Sequence, residues 1–303
     1  MRKIVGTQIL LLAMLMVFTI SSASSANAQQ LQSWMHPDVS GAWKKKFKGQ
    51  GTSITIVDQF SSSDPSDYIE GNLSSRLGGY RLHGDWVSKH TSMIATSAKI
   101  NARDWSTAGA VKLSKGLNIV NMSYGIMDVY STSSISWDAQ ERSLISYAKS
   151  GRAVIVKAAG NEYGTAVGGM DSSGYLDYLN RDLIGKKTAI FVGALSTHGT
   201  PSSKASLASY SNIAGGNRAV QKNFLVVGVR GDRTGLYGTS FAAPVVSAYA
   251  AMLGSKFKKA SATQITNQLL LTARKDTILN YSAYLHGRGE ASLSRALAPK
   301  KIK

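Results

Sequence analysis

Five short apolar runs punctuate the chain: Ser53–Val57, Asn118–Met122, Ala153–Ala158, Thr188–Ala194 and Phe224–Val229, each rich in Val and Ile. Runs of this length and composition read as β-strands. Between them the apolar positions recur with helical spacing. Asp138–Lys149 is amphipathic and stops before Gly151, a residue suited to the left-handed backbone that closes a helix. A second helix is predicted over Ser240–Leu253, with Pro244 tolerated in its first turn. A third opens at Ser261, where Gln264 completes a capping box, and carries Ile265, Leu269 and Leu270 on one face. Strands separated by helices imply parallel crossovers, so the predicted fold class is α/β, a three-layer sandwich with a mostly parallel sheet. No repeat, linker or composition break divides residues 29–303, which read as a single domain.

The first residues read as an address. Arg2 and Lys3 precede an apolar stretch from Ile9 to Ile20, and a small-residue run ends in Ala26-Asn27-Ala28, an A-x-A cleavage site. Residues 1–28 are therefore expected to be a signal peptide, and the protein to be exported, periplasmic or extracellular. An uncleaved anchor is the alternative. No later stretch approaches ~18 unbroken apolar residues, so no stable membrane span is expected after cleavage.

Composition narrows the chemistry. Apolar residues make up 43% and charged residues 17% of 303, which argues against disorder, collagen and coiled coil. Cysteine is absent, excluding a disulfide scaffold, a thiol nucleophile and thiolate metal sites. The 35 basic residues exceed the 17 acidic ones to give +18, so anionic envelope surfaces or polymers become candidate partners. Two stretches concentrate that charge, Lys44-Lys45-Lys46-Phe47-Lys48 and Lys300-Lys301-Ile302-Lys303. Stacking aromatics are not interleaved with these lysines, and no nucleic-acid partner is expected.

Ligands on parallel sheets sit beyond the carboxyl ends of the strands, and polar residues cluster there. Asp58 closes the first run, Ser123-Tyr124-Gly125 follows the second, and Ala159-Gly160-Asn161-Glu162 follows the third. Gly238-Thr239-Ser240 opens a predicted helix. These ends supply a carboxylate, an amide and a hydroxyl, and only a base is missing. Of the five histidines, His36, His198 and His286 fall in predicted loops, and His90 falls inside a helix. His83, followed by Gly84, falls at a helix start between the Asp58 and Ser240 motifs, so it is the candidate base. Taken singly, each residue has a plainer role: Asp58 as a turn former, Asn161 as a left-handed turn residue, Ser240 as a helix cap. Their joint placement at strand ends favours chemistry.

These motifs resemble the subtilisin-like serine proteases across nearly all of residues 29–303. Gly49–Asp58 (GQGTSITIVD) is similar to the family's strand ending in a catalytic aspartate, and His83–Ser88 (HGDWVS) to its histidine segment. Asn121–Gly125 (NMSYG) resembles the strand that binds substrate backbone, Ala158–Glu162 (AAGNE) the oxyanion loop, and Gly238–Val245 (GTSFAAPV) the nucleophile motif. The order Asp, His, Ser is the subtilisin order. The resemblance implies an exported endopeptidase acting on proteins or peptides, with Asp58, His83 and Ser240 as catalytic triad and Asn161 in the oxyanion hole. It also implies that Ser123, Tyr124, Gly125 and Gly160 bind substrate. No metal ligand is assigned and no cofactor is expected. Many relatives bind calcium, but no dense run of oxygen ligands supports it here.

Several positions depart from the pattern. Gln59 and Phe60 follow the aspartate, and Asp85, Trp86 and Lys89 stand where the histidine segment has Thr, His and Gly. Asp85 is expected to pair with His83 and raise its pKa. Only Gln29 to about Gln50 precede the first strand, too short for the folded pro-domain of many relatives. The tract Tyr163–Gly185 carries Asp171, Asp177 and Asp182 and reads as a solvated acidic loop. The competing function is a catalytically impaired fold of this type acting as a binding module.

Overall fold

A computed structural model describes residues 30–132 and 135–303. The predicted signal peptide lies outside the described residues. Leu31–Lys303 forms one compact unit. Its strands, among the described residues, are Thr52–Asp58 (β1), Tyr68–Ser74 (β2), Leu77–Leu82 (β3), Lys99–Asp104 (β4), Leu117–Met122 (β5), Met127–Val129 (β6), Val154–Ala158 (β7), Tyr175–Asp177 (β8), Ala189–Leu195 (β9) and Phe224–Gly228 (β10). Six of them build a sheet in the order β10-β9-β7-β5-β1-β4, and every pairing is parallel.

Side chains alternate across that sheet with the two-residue period of a strand. Ile54, Ile56, Val154, Val156, Ile190 and Val192 point into one core beside the helices His83–Ile94 and Ala243–Lys256. Val57, Val120, Ile155 and Phe191 point into a second core, against Leu144 and Ala148 of the helix Ala139–Ser150 and Leu179 of Tyr178–Leu183. Two helical layers around one parallel sheet make the three-layer α/β architecture. Chain order reverses at β1, which pairs with β4 on one side and β5 on the other. The crevice beyond the carboxyl ends at such a switch point is where this architecture holds ligands.

Local signals account for most helix ends. Asp138 caps Ala139–Ser150 by accepting from the Gln140 and Glu141 N–H groups, and Gly151 closes that helix in the left-handed region. Ser261 and Gln264 form the capping box of Ala262–Leu271. The helix predicted from Ser240 is instead two elements, a 3-10 turn Thr239–Phe241 and an α-helix Ala243–Lys256. Pro244 can occupy only the first turn of an α-helix, so the regular helix begins just before it and Ser240 stays in the tighter turn. His286 ends a short helix, Ala283–His286, rather than a loop.

The tract before β1 is part of the core. Trp34, Met35, Val39, Ala42 and Trp43 are buried, and the two indoles donate to the carbonyls of Leu73 and Ile94. No helix among the described residues is long and apolar enough to cross a membrane.

Candidate active site

Asp58 ends β1 with no exposed surface. Its Oδ1 accepts from the Gln59 N–H at 2.8 Å and stands 2.6 Å from His83 Nδ1, while Oδ2 is buried with no hydrogen-bond partner among the described residues. A carboxylate only accepts, so Nδ1 carries the proton and Nε2 is left as the basic nitrogen. His83 is the first residue of its helix, held there by the Gly84 N–H donating to the Gln59 carbonyl at 3.0 Å. Asp85 forms no ion pair with His83 among the described residues. Residues two apart on a helix do not face each other, which corrects the expected Asp85 contact.

Trp86, which stands where the resemblance has a second histidine, is fully buried and donates its indole N–H to the Ile69 carbonyl at 2.8 Å. It thereby fastens the His83 helix to the β2–β3 hairpin. His90 lies one turn further, and burial lowers its pKa to about 3, so its ring is neutral. The Phe241 ring separates the imidazoles, 5.5 Å from His83 and 5.1 Å from His90.

Ser240 sits opposite, and a buried polar seam fixes its backbone. The Ser240 carbonyl accepts from Ser123 Oγ at 2.9 Å, Ser123 Oγ accepts from Asn121 Nδ2 at 2.8 Å, and Asn121 Oδ1 accepts from Ser247 Oγ at 3.0 Å. Ser240 Oγ donates to the Ser123 carbonyl at 3.1 Å. Asn161 is anchored through its oxygen: Oδ1 accepts from the Thr239 N–H at 2.8 Å and lies 3.0 Å from Thr239 Oγ1. That leaves the Asn161 amide N–H₂ as the outward donor beside Ser240. Gly160 and Gly238 make this approach feasible, with φ of 110° and 113°, a region that L side chains rarely adopt.

Ser123, Tyr124, Gly125, Gly160, Asn161 and Ser240 line a single pocket of about 140 Å³. His83, paired with Asp58, packs its ring against Phe241, the neighbour of Ser240 in the turn Thr239–Phe241. Seven of the eight predicted site residues thus lie at the carboxyl ends of β1, β5 and β7 and at the turn Thr239–Phe241, and His83 reaches the end of β1 from the start of its helix.

The pocket also holds a pair that the sequence reading missed. Lys157 of β7 is 1% exposed, and its Nζ donates to Asp177 Oδ2 and to the Ala158 carbonyl, each at 2.9 Å. Asp177 is not solvated as expected: its Oδ1 caps Tyr178–Leu183 through the Leu179 and Asn180 N–H groups. The signal was a lysine inside the apolar run Ala153–Ala158, because a buried charge requires a partner. Asp182 likewise accepts from the Trp137 indole at 2.6 Å.

The model of the subtilase family matches residues 52–289. Among solved structures, the chain is similar to the prenylagaramide maturation protease PagA, with 17% identity over 86% of this chain and 98% of that one and a TM-score of 0.53. It is also similar to the MycP3 protease from the type VII (ESX-3) secretion system, with 18% identity over 86% of each chain and a TM-score of 0.54. At these identities the structural likeness concerns the fold alone. No curated protein sequence matches the chain.

Proposed function

The chain belongs to the subtilase family and is a subtilisin-like serine protease, and from that premise we propose that it is an exported endopeptidase working through Asp58, His83 and Ser240 and an acyl-enzyme. The observation that carries this reading is the 2.6 Å Asp58–His83 contact, with the His83 ring packed 5.5 Å from that of Phe241, the residue after Ser240. A serine hydroxyl is a poor nucleophile at neutral pH, so the reaction needs His83 Nε2 to take its proton as Ser240 Oγ attacks the scissile carbonyl. Ser240 Oγ must first leave the Ser123 carbonyl, a rotation about one side-chain bond. Asp58 holds the Nδ1–H tautomer and stabilises the imidazolium, which then protonates the departing amine. Water, deprotonated by His83 in turn, releases the acyl group. The Asn161 amide and the Ser240 N–H are the donors for the tetrahedral oxyanion.

An extended peptide pairing with the Ser123–Gly125 backbone would enter by strand addition, its side chain filling the pocket over Lys157 and Asp177. Export is supported by the Arg2-Lys3 start, the Ile9–Ile20 run and the Ala26-Asn27-Ala28 site.

Fluorophosphonate labelling of the purified protein tests the reading. Wild type should be labelled, Ser240→Ala should not, and Asn161→Ala should keep labelling while peptide turnover falls by roughly 10²–10³. That last range is the established subtilisin value for this type of amide. Unlabelled wild type would favour the binding-module alternative, and an equally labelled Ser240→Ala would remove Ser240 from the role.

A further inference from the structure

In an all-parallel sheet every strand starts on the same side, and here each start is basic. Lys48 precedes β1, Lys99 begins β4, Lys115 precedes β5, Arg152 precedes β7, Lys186 and Lys187 precede β9, and Lys222 precedes β10. No acidic residue falls within the four positions before any of these strands. Carboxylates stand instead at the opposite ends: Asp58 and Asp104 are the last residues of β1 and β4, Glu162 follows β7 within four residues, and Asp232 follows β10, ion-paired there with Arg230. Around the sheet, the charged side chains at the strand starts are therefore all basic, while the carboxylates stand at the opposite ends.

Packing gathers further lysines on the basic side. The helix Ala243–Lys256 runs from the Ser240 turn to that side and ends at Lys256. Lys256 Nζ donates to the carbonyls of Leu297 and Pro299 and sits over the Phe47 and Phe257 rings, 5.6 and 5.1 Å from their centroids. This one ammonium joins the tract 44–48, the tract 256–260 and the tail 299–303. Lys258, Lys259, Lys300 and Lys301 then rim an open groove of about 380 Å³. A second groove, of about 220 Å³ beside the start of β10, is lined by Arg218, Lys222, Lys275 and Arg288. Among the described residues the only lysine within 4 Å of a carboxylate is Lys157. Burial and the nearby Lys45 together hold the Lys256 ammonium below its ordinary pKa.

Helix dipoles favour Lys149 and Lys256 at helix ends, but they do not account for Lys115, Lys258, Lys259, Lys300 or Lys301. We propose that the face formed by the N-terminal ends of the six strands docks on an anionic membrane surface, holding the Ser240 pocket on the side away from it. A planar array of phosphates meets the strand starts and both grooves at once, whereas a single polymer strand would occupy one groove. Phe47, Phe257 and Ile302 are half-buried, so the contact is electrostatic and needs no insertion. The orientation rests on the proposed peptidase site, but the binding does not.

Co-sedimentation of the exported, processed Ser240→Ala protein, free of the apolar Ile9–Ile20 run and unable to digest itself, tests docking without any activity readout. Vesicles of phosphatidylcholine are compared with vesicles carrying about 30% phosphatidylglycerol. Binding to the anionic vesicles should be at least about tenfold tighter and should collapse between ~50 and ~500 mM salt. Lys258→Gln/Lys259→Gln should weaken it at least about fivefold, whereas Lys204→Gln/Arg233→Gln, on loops leaving the opposite strand ends, should leave it unchanged. Equal binding to both vesicle types overturns the proposal, as does equal loss in the two double variants. Retention on heparin without vesicle binding would overturn it in favour of a soluble polyanion.

Discussion

Replacing Glu290 by Gln should stabilise the fold strongly at pH 8 and much less at pH 5. Glu290 is 3% exposed, its Oε1 accepts a long 3.3 Å hydrogen bond from the Gly199 N–H, its carboxyl lies near the Thr277 hydroxyl, and among the described residues its Oε2 is buried without a well-formed hydrogen bond. Burial raises its pKa from 4.5 to about 7, against the smaller opposing effects of Thr277, Gly199 and Arg274. Between those values the folded chain holds the proton and the unfolded chain has lost it. Stability therefore falls as pH rises through this window, because the folded state binds more protons. At pH 8 the accumulated cost is on the order of 3 kcal/mol, and at pH 5 it is below about 1 kcal/mol.

Gln cannot ionise, keeps the oxygen that receives the Gly199 N–H, and removes this pH dependence. His90 and His198, lowered by burial to about 3 and about 4, act in the other direction by costing stability as pH falls below 6.5. They are common to both proteins and cancel in the comparison. Urea unfolding in the Ser240→Ala background should show the advantage of Glu290→Gln growing by about 2 kcal/mol from pH 5 to pH 8. An advantage that is constant, or larger at pH 5, would refute the assignment of a neutral buried carboxyl.

Two further substitutions probe the supports of the site. In Gly84→Ala the new Cβ would stand 2.6 Å from the Gln59 carbonyl and 2.9 Å from the Phe60 ring. Unfolding stability should drop by about 1–3 kcal/mol and peptide turnover should fall with it, and unchanged turnover would mean that His83 is positioned by other contacts. Lys157→Met leaves Asp177 Oδ2 uncompensated and should cost about 3 kcal/mol at neutral pH, part of it recovered by adding Asp177→Asn. A single variant as stable as wild type in urea would show that the pair is already hydrated.

The five strands legible in the sequence are those whose residues are buried along nearly their whole length, where apolar runs leave no ambiguity. β4 escaped because it is an edge strand with no fully buried residue, and Ile100 and Ala102 are too few to mark Lys-Ile-Asn-Ala-Arg-Asp as an apolar run. The β2–β3 hairpin escaped for a related reason: much of its surface is exposed, and Gly71, Gly78 and Gly79 dilute the pattern. The capping box at Ser261 and the stop at Gly151 were readable because they depend on neighbours along the chain. The Lys157–Asp177 pair joins side chains 20 positions apart, so its charge was visible but its partner was not. Asp85 misled because adjacency in sequence was read as adjacency in space, while the helix turns it away from His83.

The buried seam from Ser247 through Asn121 and Ser123 to Ser240 joins parts of the chain that emerge far apart in time during synthesis. Its links span 126 and 117 residues, whereas the Asp58–His83 contact spans 25. On the proposed assignment, the acid–base pair joins near neighbours in the chain, whereas the proposed nucleophile is seated by contacts that need the Ala243–Lys256 helix against β5. A chain ending before that helix would lack Ser247 and with it the anchor of the seam. The proposed capacity to cut would then depend on this late part of the chain being in place.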